Sequence, residues 1–175
     1  MQYKIAIALF ISLAFLIACS DKKDRQQVRL NSNEVKQHLL NVNTIVVHNG
    51  SEKINEYIKS HQWKMLSTGT GLRYMIYENG KGIKTASGSI IKMKMNVEML
   101  DSTVCYSAKD TDPVEFVINK SEQIRGLNEL ALLLKKGDKA KAILPPHLAY
   151  GLTGDNNNIP PNAVLVYDIE VLNVK

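Results

Sequence analysis

The alternation of apolar and polar residues between Ser89 and Leu100 constrains the fold of this chain more than any other feature. One face carries Ile91, Met93, Met95, Val97 and Met99, and the other carries Lys92, Lys94, Asn96 and Glu98. A period of two predicts a β-strand with one face on a core and the other in water, which is typical of an antiparallel sheet. Methionines could also bind copper, but at strand spacing we interpret them as core residues.

Other segments complete a sheet with a single helix between its strands. Further strands are predicted over 72–78, 104–107, 114–118, 139–144 and 164–173. A helix is predicted over 127–134, with Gly137 as the residue that follows its C-terminus. Strands, one short helix and again strands indicate an α+β fold with one antiparallel sheet.

A helical segment, 32–68, is predicted to precede this sheet domain, which covers 69–175. Its first helix covers 33–47, with Val35, Leu39 and Val42 on one face. Its second helix is capped by Ser51 and has an apolar stripe formed by Ile54, Tyr57, Ile58, His61 and Met65. We expect His61 to pack rather than to bind a metal ion, and Trp63 to be a core anchor.

The first residues indicate export. A positive start is followed by an apolar run that is too short to span a membrane, which is typical of a secretory signal. The run ends in Leu16-Ile17-Ala18-Cys19, which resembles a bacterial lipobox, so residues 1–18 are predicted to be a lipoprotein signal peptide and Cys19 a lipidation site. Residues 19–31 are polar and form the predicted tether. The alternative is an ordinary cleaved signal with a cysteine there by chance.

Composition excludes several classes of protein. The chain has 22 Lys and Arg against 17 Asp and Glu, a net charge of +5, and its acidic residues are scattered along it, so no nucleic acid partner is expected. Two Cys and four His are too few for a disulfide scaffold or for most metal sites, and no cofactor is expected.

Five sequence blocks in the C-terminal half carry a resemblance to a known family. They are Gln123-Ile124-Arg125-Gly126, Lys136-Gly137-Asp138-Lys139, Ala149-Tyr150-Gly151-Leu152-Thr153-Gly154, Ile159-Pro160-Pro161-Asn162-Ala163 and Leu165-Val166-Tyr167-Asp168-Ile169-Glu170. In these blocks the chain resembles the FKBP-type peptidyl-prolyl cis-trans isomerases, over roughly 71–175. The lipobox, the stretch 61–65 and the strand 70–74 resemble, more narrowly, the gliding-motility-associated FKBP-type lipoproteins of Bacteroidetes.

The resemblance implies a curved antiparallel sheet wrapped around one short helix, with an apolar pocket between them. It implies that the Tyr150 hydroxyl donates a hydrogen bond to a substrate carbonyl and that Ile124 offers its backbone N–H. The implied pocket residues are Met95, Cys105, Tyr106, Val114, Phe116, Glu122, Gln123, Leu127, Ile159 and Tyr167. Several of them depart from the family: Leu127 replaces the usual Trp of the floor, Met95 a Tyr, Cys105-Tyr106 a Phe-Asp pair, and Val114 an aromatic residue.

Three functions are compatible with these patterns. The first is a lipid-anchored prolyl isomerase that assists folding of exported or envelope proteins, whose partners are proline-containing segments of those proteins and a membrane bound through Cys19. It would lie outside the cytoplasm of a bacterial cell. The second is a binding or chaperone module with little turnover, and the third is a structural component of the envelope or of a motility apparatus.

Overall fold

The computed structural model of this chain describes residues 35–37 and 50–175. The chain divides into two compact units, Met1–Leu40 and Asn41–Lys175. In the first unit, residues 35–37 are helical, as the sequence predicts.

The other residues of the predicted helix over 33–47 lie outside the described residues, as do the predicted signal peptide, Cys19 and the tether. Within the described parts of the chain, no helix combines the length and the apolar character that a membrane span requires.

Residues 50–175 contain a mixed sheet-and-helix domain. Its elements are α1 (50–60), β1 (Leu66–Ser67), β2 (Arg73–Glu78), β3 (Ile90–Met99), β4 (Val104–Tyr106), β5 (Val114–Val117), α2 (Arg125–Ala131), β6 (Lys139–Leu144), a 3₁₀-helix (Pro146–Leu148) and β7 (Leu165–Val174). The strands form one sheet in the order β1-β2-β6-β7-β3-β4. The strand β5 also pairs with β3, at Ile90–Met93, whereas β4 pairs with β3 at Val97 and Glu98. Every pairing is antiparallel.

The central strand β3 confirms the alternation in the sequence. Ile91, Met93 and Val97 are buried, and Lys94 and Asn96 are exposed. On β7 the residues Leu165, Tyr167, Ile169 and Val171 are buried in the same cluster, together with Leu127, Leu130 and Ala131 of α2. One face of the sheet therefore packs on α2, and this contact forms the main core.

The helix α2 begins and ends earlier than the predicted 127–134. At its C-terminal end the Thr85 hydroxyl binds the carbonyl oxygen of Ala131, the last helical residue, at 2.6 Å. The same hydroxyl lies 2.9 Å from the carbonyl oxygen of Leu134, which follows the helix. Gly137 consequently does not follow the helix C-terminus. It lies in the turn before β6, with a positive φ of 87°.

The opposite face of the sheet carries a second apolar cluster, which sequence analysis did not predict. Ile54 of α1 is buried with Ile143 of β6 and Val166 of β7, which are partners in the β6–β7 ladder. Half-buried Trp63 and Met65 pack against the same cluster. Where α1 covers this face, Ile143 and Val166 are buried, whereas Glu170 further along β7 is exposed.

Three details of the predicted helical segment differ from the structure. Ser51 is not the helix cap, because residue 50 is already helical. His61 lies beyond α1 and is exposed, although its ring stacks on Tyr57 at 4.1 Å between centroids. Residues Leu66–Ser67 form the edge strand β1 rather than the end of a helix.

Candidate functional site

A cleft of about 210 Å³ opens between α2 and the core face of the sheet. Its lining combines apolar side chains with three tyrosines: Met95, Val97, Tyr106, Thr111, Val114, Gln123, Leu127, Tyr150 and Tyr167. Seven of these were predicted from the sequence. The two that were not, Val97 and Thr111, lie on β3 and in the loop before β5.

The floor and one wall of the cleft are apolar and firmly packed. Leu127, in the first turns of α2, is 2% exposed, and Tyr167 of β7 is 1% exposed. The helix lies close to β6, since a Cβ at Gly126 would come within 2.3 Å of the Leu144 side chain. This close approach places Leu127 against the sheet and closes the cleft at its base.

Tyr150 supplies a hydroxyl at the edge of this apolar surface. It follows the 3₁₀-helix, and its side chain is half-buried in the cleft lining. Burial raises the pKa of this hydroxyl, and the nearby Asp155 carboxylate adds to the shift, so the group stays protonated at neutral pH. Among the described residues no acceptor takes a hydrogen bond from it, and the proton is available to a ligand.

The backbone N–H of Ile124, the other predicted donor, is engaged within the chain. It donates to the side-chain oxygen of its neighbour Gln123 at 2.9 Å. The Gln123 carbonyl in turn accepts a hydrogen bond from the Asn128 amide at 3.1 Å. The Ile124 N–H is therefore already occupied by the Gln123 side chain.

Four predicted pocket residues lie elsewhere than in the lining. Cys105, Phe116 and Ile159 are 6%, 6% and 3% exposed and pack in the main core behind the cleft. Glu122 is exposed, ahead of α2. Cys105 and Tyr106 are neighbours on β4, and since side chains alternate along a strand, one faces the core when the other faces the cleft.

A phenol–carboxylate pair beside the cleft was missed by sequence analysis. The Tyr106 hydroxyl donates to the Asp155 carboxylate, which lies in the loop after Tyr150. The hydrogen bond that the Tyr106 hydroxyl donates to Asp155 and, to a lesser extent, burial raise the pKa of Tyr106. The signal available in the sequence was the run Asp155 to Asn158, polar residues of the kind that order a loop through side-chain hydrogen bonds.

The arrangement suits recognition of an apolar ring flanked by backbone carbonyls. The lining contains no charged side chain, and in the described residues no group of three or more His, Cys, Asp or Glu could hold a metal ion. Proline is such a ring, and rotation about the bond before it needs no nucleophile, because it breaks amide resonance rather than a covalent bond.

Comparison with known proteins agrees with this geometry. Residues 81–172 match the family model of the FKBP-type peptidyl-prolyl cis-trans isomerases. This chain belongs to that family. The match includes α2, β3 to β6, most of β7 and all the residues that line the cleft.

Individual FKBP-type proteins show the same relationship. The chain is 36% identical over 109 residues to a probable FKBP-type peptidyl-prolyl cis-trans isomerase of Haemophilus influenzae. The aligned residues are 62% of this chain and 44% of that protein. It is 42% identical over 76 residues to the peptidyl-prolyl cis-trans isomerase Fkbp12 of Drosophila melanogaster, covering 43% of this chain and 70% of that protein. The chain therefore spans less than half of the Haemophilus relative.

Among solved structures, FkpA from Escherichia coli is similar with a TM-score of 0.63 at 26% identity, covering 98% of this chain and 95% of that chain. The α+β class and the curved antiparallel sheet around a short helix are thus confirmed. The FKBP family resemblance in the sequence is confirmed as well.

Proposed function

We propose that this protein is a peptidyl-prolyl cis-trans isomerase and that the cleft between α2 and the sheet is its active site. The observation that carries the proposal is an apolar cleft with a protonated, unengaged tyrosine hydroxyl at its edge. Proline-containing segments of polypeptides are the proposed substrates.

The cleft would favour the twisted amide over the planar one. A twisted amide is less polar than a planar one, so an apolar site that excludes water lowers the barrier of about 20 kcal/mol to rotation. Leu127 and Tyr167 would contact the proline ring, and the Tyr150 hydroxyl would hold the substrate carbonyl. Met95 and Val114 extend the apolar walls.

A second function, binding of proline segments with little turnover, is favoured by two observations. Leucine, methionine and valine line the cleft at positions where the family resemblance implies aromatic residues, which reduces flat contact surface. The Ile124 N–H must also be released from Gln123 before it can bind substrate.

Isomerisation of short X–Pro peptides by the full chain separates the two functions. We expect turnover, and we expect Tyr150→Phe to lower kcat/KM about 3- to 10-fold, the effect of one neutral hydrogen bond. Tyr77→Phe is the matched control, since its hydroxyl donates to Asp168, whose side chain lies on the face of β7 opposite to that of Tyr167 and the cleft. Peptide binding without turnover by the unsubstituted chain would support the binding function instead.

We propose further that a lipid on Cys19 anchors the protein in the envelope of a bacterial cell, outside the cytoplasm. The support is the sequence alone: a signal-like segment over 1–18, the lipobox-like Leu16 to Cys19, and a polar tether over 19–31. Two or more acyl chains would anchor the protein stably. In this proposal the domain 69–175 acts on exported or envelope proteins, including those of a gliding-motility apparatus, and the segment 32–68 precedes it.

Substitution of Cys19 tests the anchor. A Cys19→Ala variant should leave the membrane fraction after a salt wash, whereas the unsubstituted chain should stay. A variant that stays in the membrane fraction would contradict the lipid assignment without affecting the proposed isomerase site.

A further inference from the structure

The loop that follows Tyr150 is held in place from two sides. Within the loop, one oxygen of the Asp155 carboxylate accepts the backbone N–H groups of Asn157 at 2.9 Å and of Ile159 at 2.8 Å. The Asp155 N–H donates to the Ile159 carbonyl at 3.1 Å. Asp155 therefore stabilises the turn over 155–159 through hydrogen bonds within the turn.

The other oxygen of Asp155 ties this turn to the sheet. It accepts the hydroxyl of Tyr106 on β4, and the Asn157 side-chain amide lies 3.3 Å from the same hydroxyl. A second tie runs from the Asn158 amide to the Cys105 carbonyl at 3.0 Å. Each of these three hydrogen bonds between the turn and β4 depends on a side chain of Asp155, Asn157 or Asn158.

The backbone directly before the turn 155–159 has little conformational freedom. Gly154 is buried, with a φ of 73°, and a Cβ there would lie 2.2 Å from the Ile159 carbonyl oxygen. The turn therefore closes tightly between Tyr150, which lines the cleft, and Ile159, which packs in the core.

We propose that Tyr106 and Asp155 are a positioning pair, whose hydrogen bond holds the loop 151–159 against β4 and so fixes the Tyr150 hydroxyl before a substrate enters the cleft. The inference rests on the proposed function. Its physical basis is preorganisation: a site whose competent arrangement is partly populated binds its ligand more weakly by that fraction. A hydrogen bond to an ionised carboxylate is stronger than one between neutral groups, and it suits this role.

The prediction for enzyme kinetics follows from that basis. Tyr106→Phe keeps the ring in the cleft lining and removes the hydroxyl, so the loop must be ordered by the substrate itself. We expect KM for an X–Pro peptide to rise about 3- to 10-fold while kcat changes less than about twofold. Asp155→Ala should raise KM by at least as much, and the double variant should be no worse than Asp155→Ala alone, because both substitutions remove one interaction.

Two controls separate positioning from a general structural effect. Asp155→Asn keeps one acceptor oxygen, which can serve the two amides, but loses the charge and places an NH2 donor opposite the Tyr106 hydroxyl, so it should fall between the unsubstituted chain and Asp155→Ala. Tyr77→Phe removes a similar phenol–carboxylate bond, 2.8 Å long, between the Tyr77 hydroxyl and Asp168, and should leave KM unchanged. Hydrogen exchange of the Asn157 and Ile159 amides, measured in the full chain without substrate, should become faster in Tyr106→Phe and not in Tyr77→Phe.

The outcomes are distinct. If the unsubstituted chain isomerises X–Pro peptides and Tyr106→Phe matches it in KM and in loop exchange, the positioning pair is refuted and the proposed function is not. An additive double variant would also refute it. If the unsubstituted chain neither isomerises nor binds such peptides, the proposed function is wrong, and the positioning role is wrong with it.

Discussion

The packing of α1 on the sheet gives a quantitative prediction for Ile54→Ala. Ile54 is 2% exposed and is buried against Ile143 and Val166, which are 0% and 2% exposed. Removing three buried carbon atoms loses about 2.4 kcal/mol of transfer free energy, to which the cavity adds. Alanine regains about 0.5 kcal/mol of helix propensity. We expect the free energy of unfolding to fall by about 2–4 kcal/mol.

Urea denaturation of the full chain, followed by the fluorescence of the single Trp63 and by circular dichroism, measures this loss. With a slope near 2 kcal/mol/M, the midpoint should fall by about 1–2 M. Asn55→Ala, at the exposed neighbouring position of the same helix, should change the midpoint little. A loss below about 0.5 kcal/mol in Ile54→Ala, or separate transitions for the two probes, would refute the packing of α1 on the sheet.

Three further predictions follow from the packing and from the tyrosines. Gly126→Ala should destabilise the fold by about 1–3 kcal/mol, measured by urea denaturation, because its methyl group would overlap Leu144; a neutral substitution would contradict the close approach of α2 to β6. Burial raises the pKa of Tyr150 and Tyr167, and burial followed by the Asp168 hydrogen bond raises that of Tyr77 to about 12. The stability that these groups contribute is complete below their ordinary pKa of about 10 and is lost as the pH rises through the raised values. The free energy of unfolding should therefore fall above pH 10, whereas isomerase activity should not fall between neutral pH and pH 10. Leu127→Trp should leave the rate of peptide isomerisation unchanged or raise it, because an indole adds flat apolar surface to the floor of the cleft, and a strong decrease in a folded variant would contradict the position of Leu127 there.

Local patterns predicted the strands well. The alternation along β3 reflects which face is buried, and the bounds 139–144 predicted for β6 agree with the structure because apolar and basic residues alternate there. The cleft residues Leu127, Tyr150 and Tyr167 could be proposed from sequence blocks, since family membership carries their positions along the chain.

Features that depend on distant contacts could not be predicted. The end of α2 is set by Thr85, 46 residues before Ala131. The pairing of Tyr106 with Asp155 joins positions 49 residues apart. The burial of Val166 on the back of the sheet requires α1, and nothing in the alternation along β7 indicates that a helix covers that face.

Exchange NMR on a proline peptide tests most directly whether the cleft is a prolyl isomerase site. We expect a small amount of the full chain to speed up exchange between the cis and trans signals of the peptide. We also expect the peptide to shift the resonances of Met95, Leu127 and Tyr150, which line the cleft, and not those of Tyr77, which lies outside the lining on β2. Unchanged cis–trans exchange together with unperturbed cleft resonances would contradict that role of the cleft.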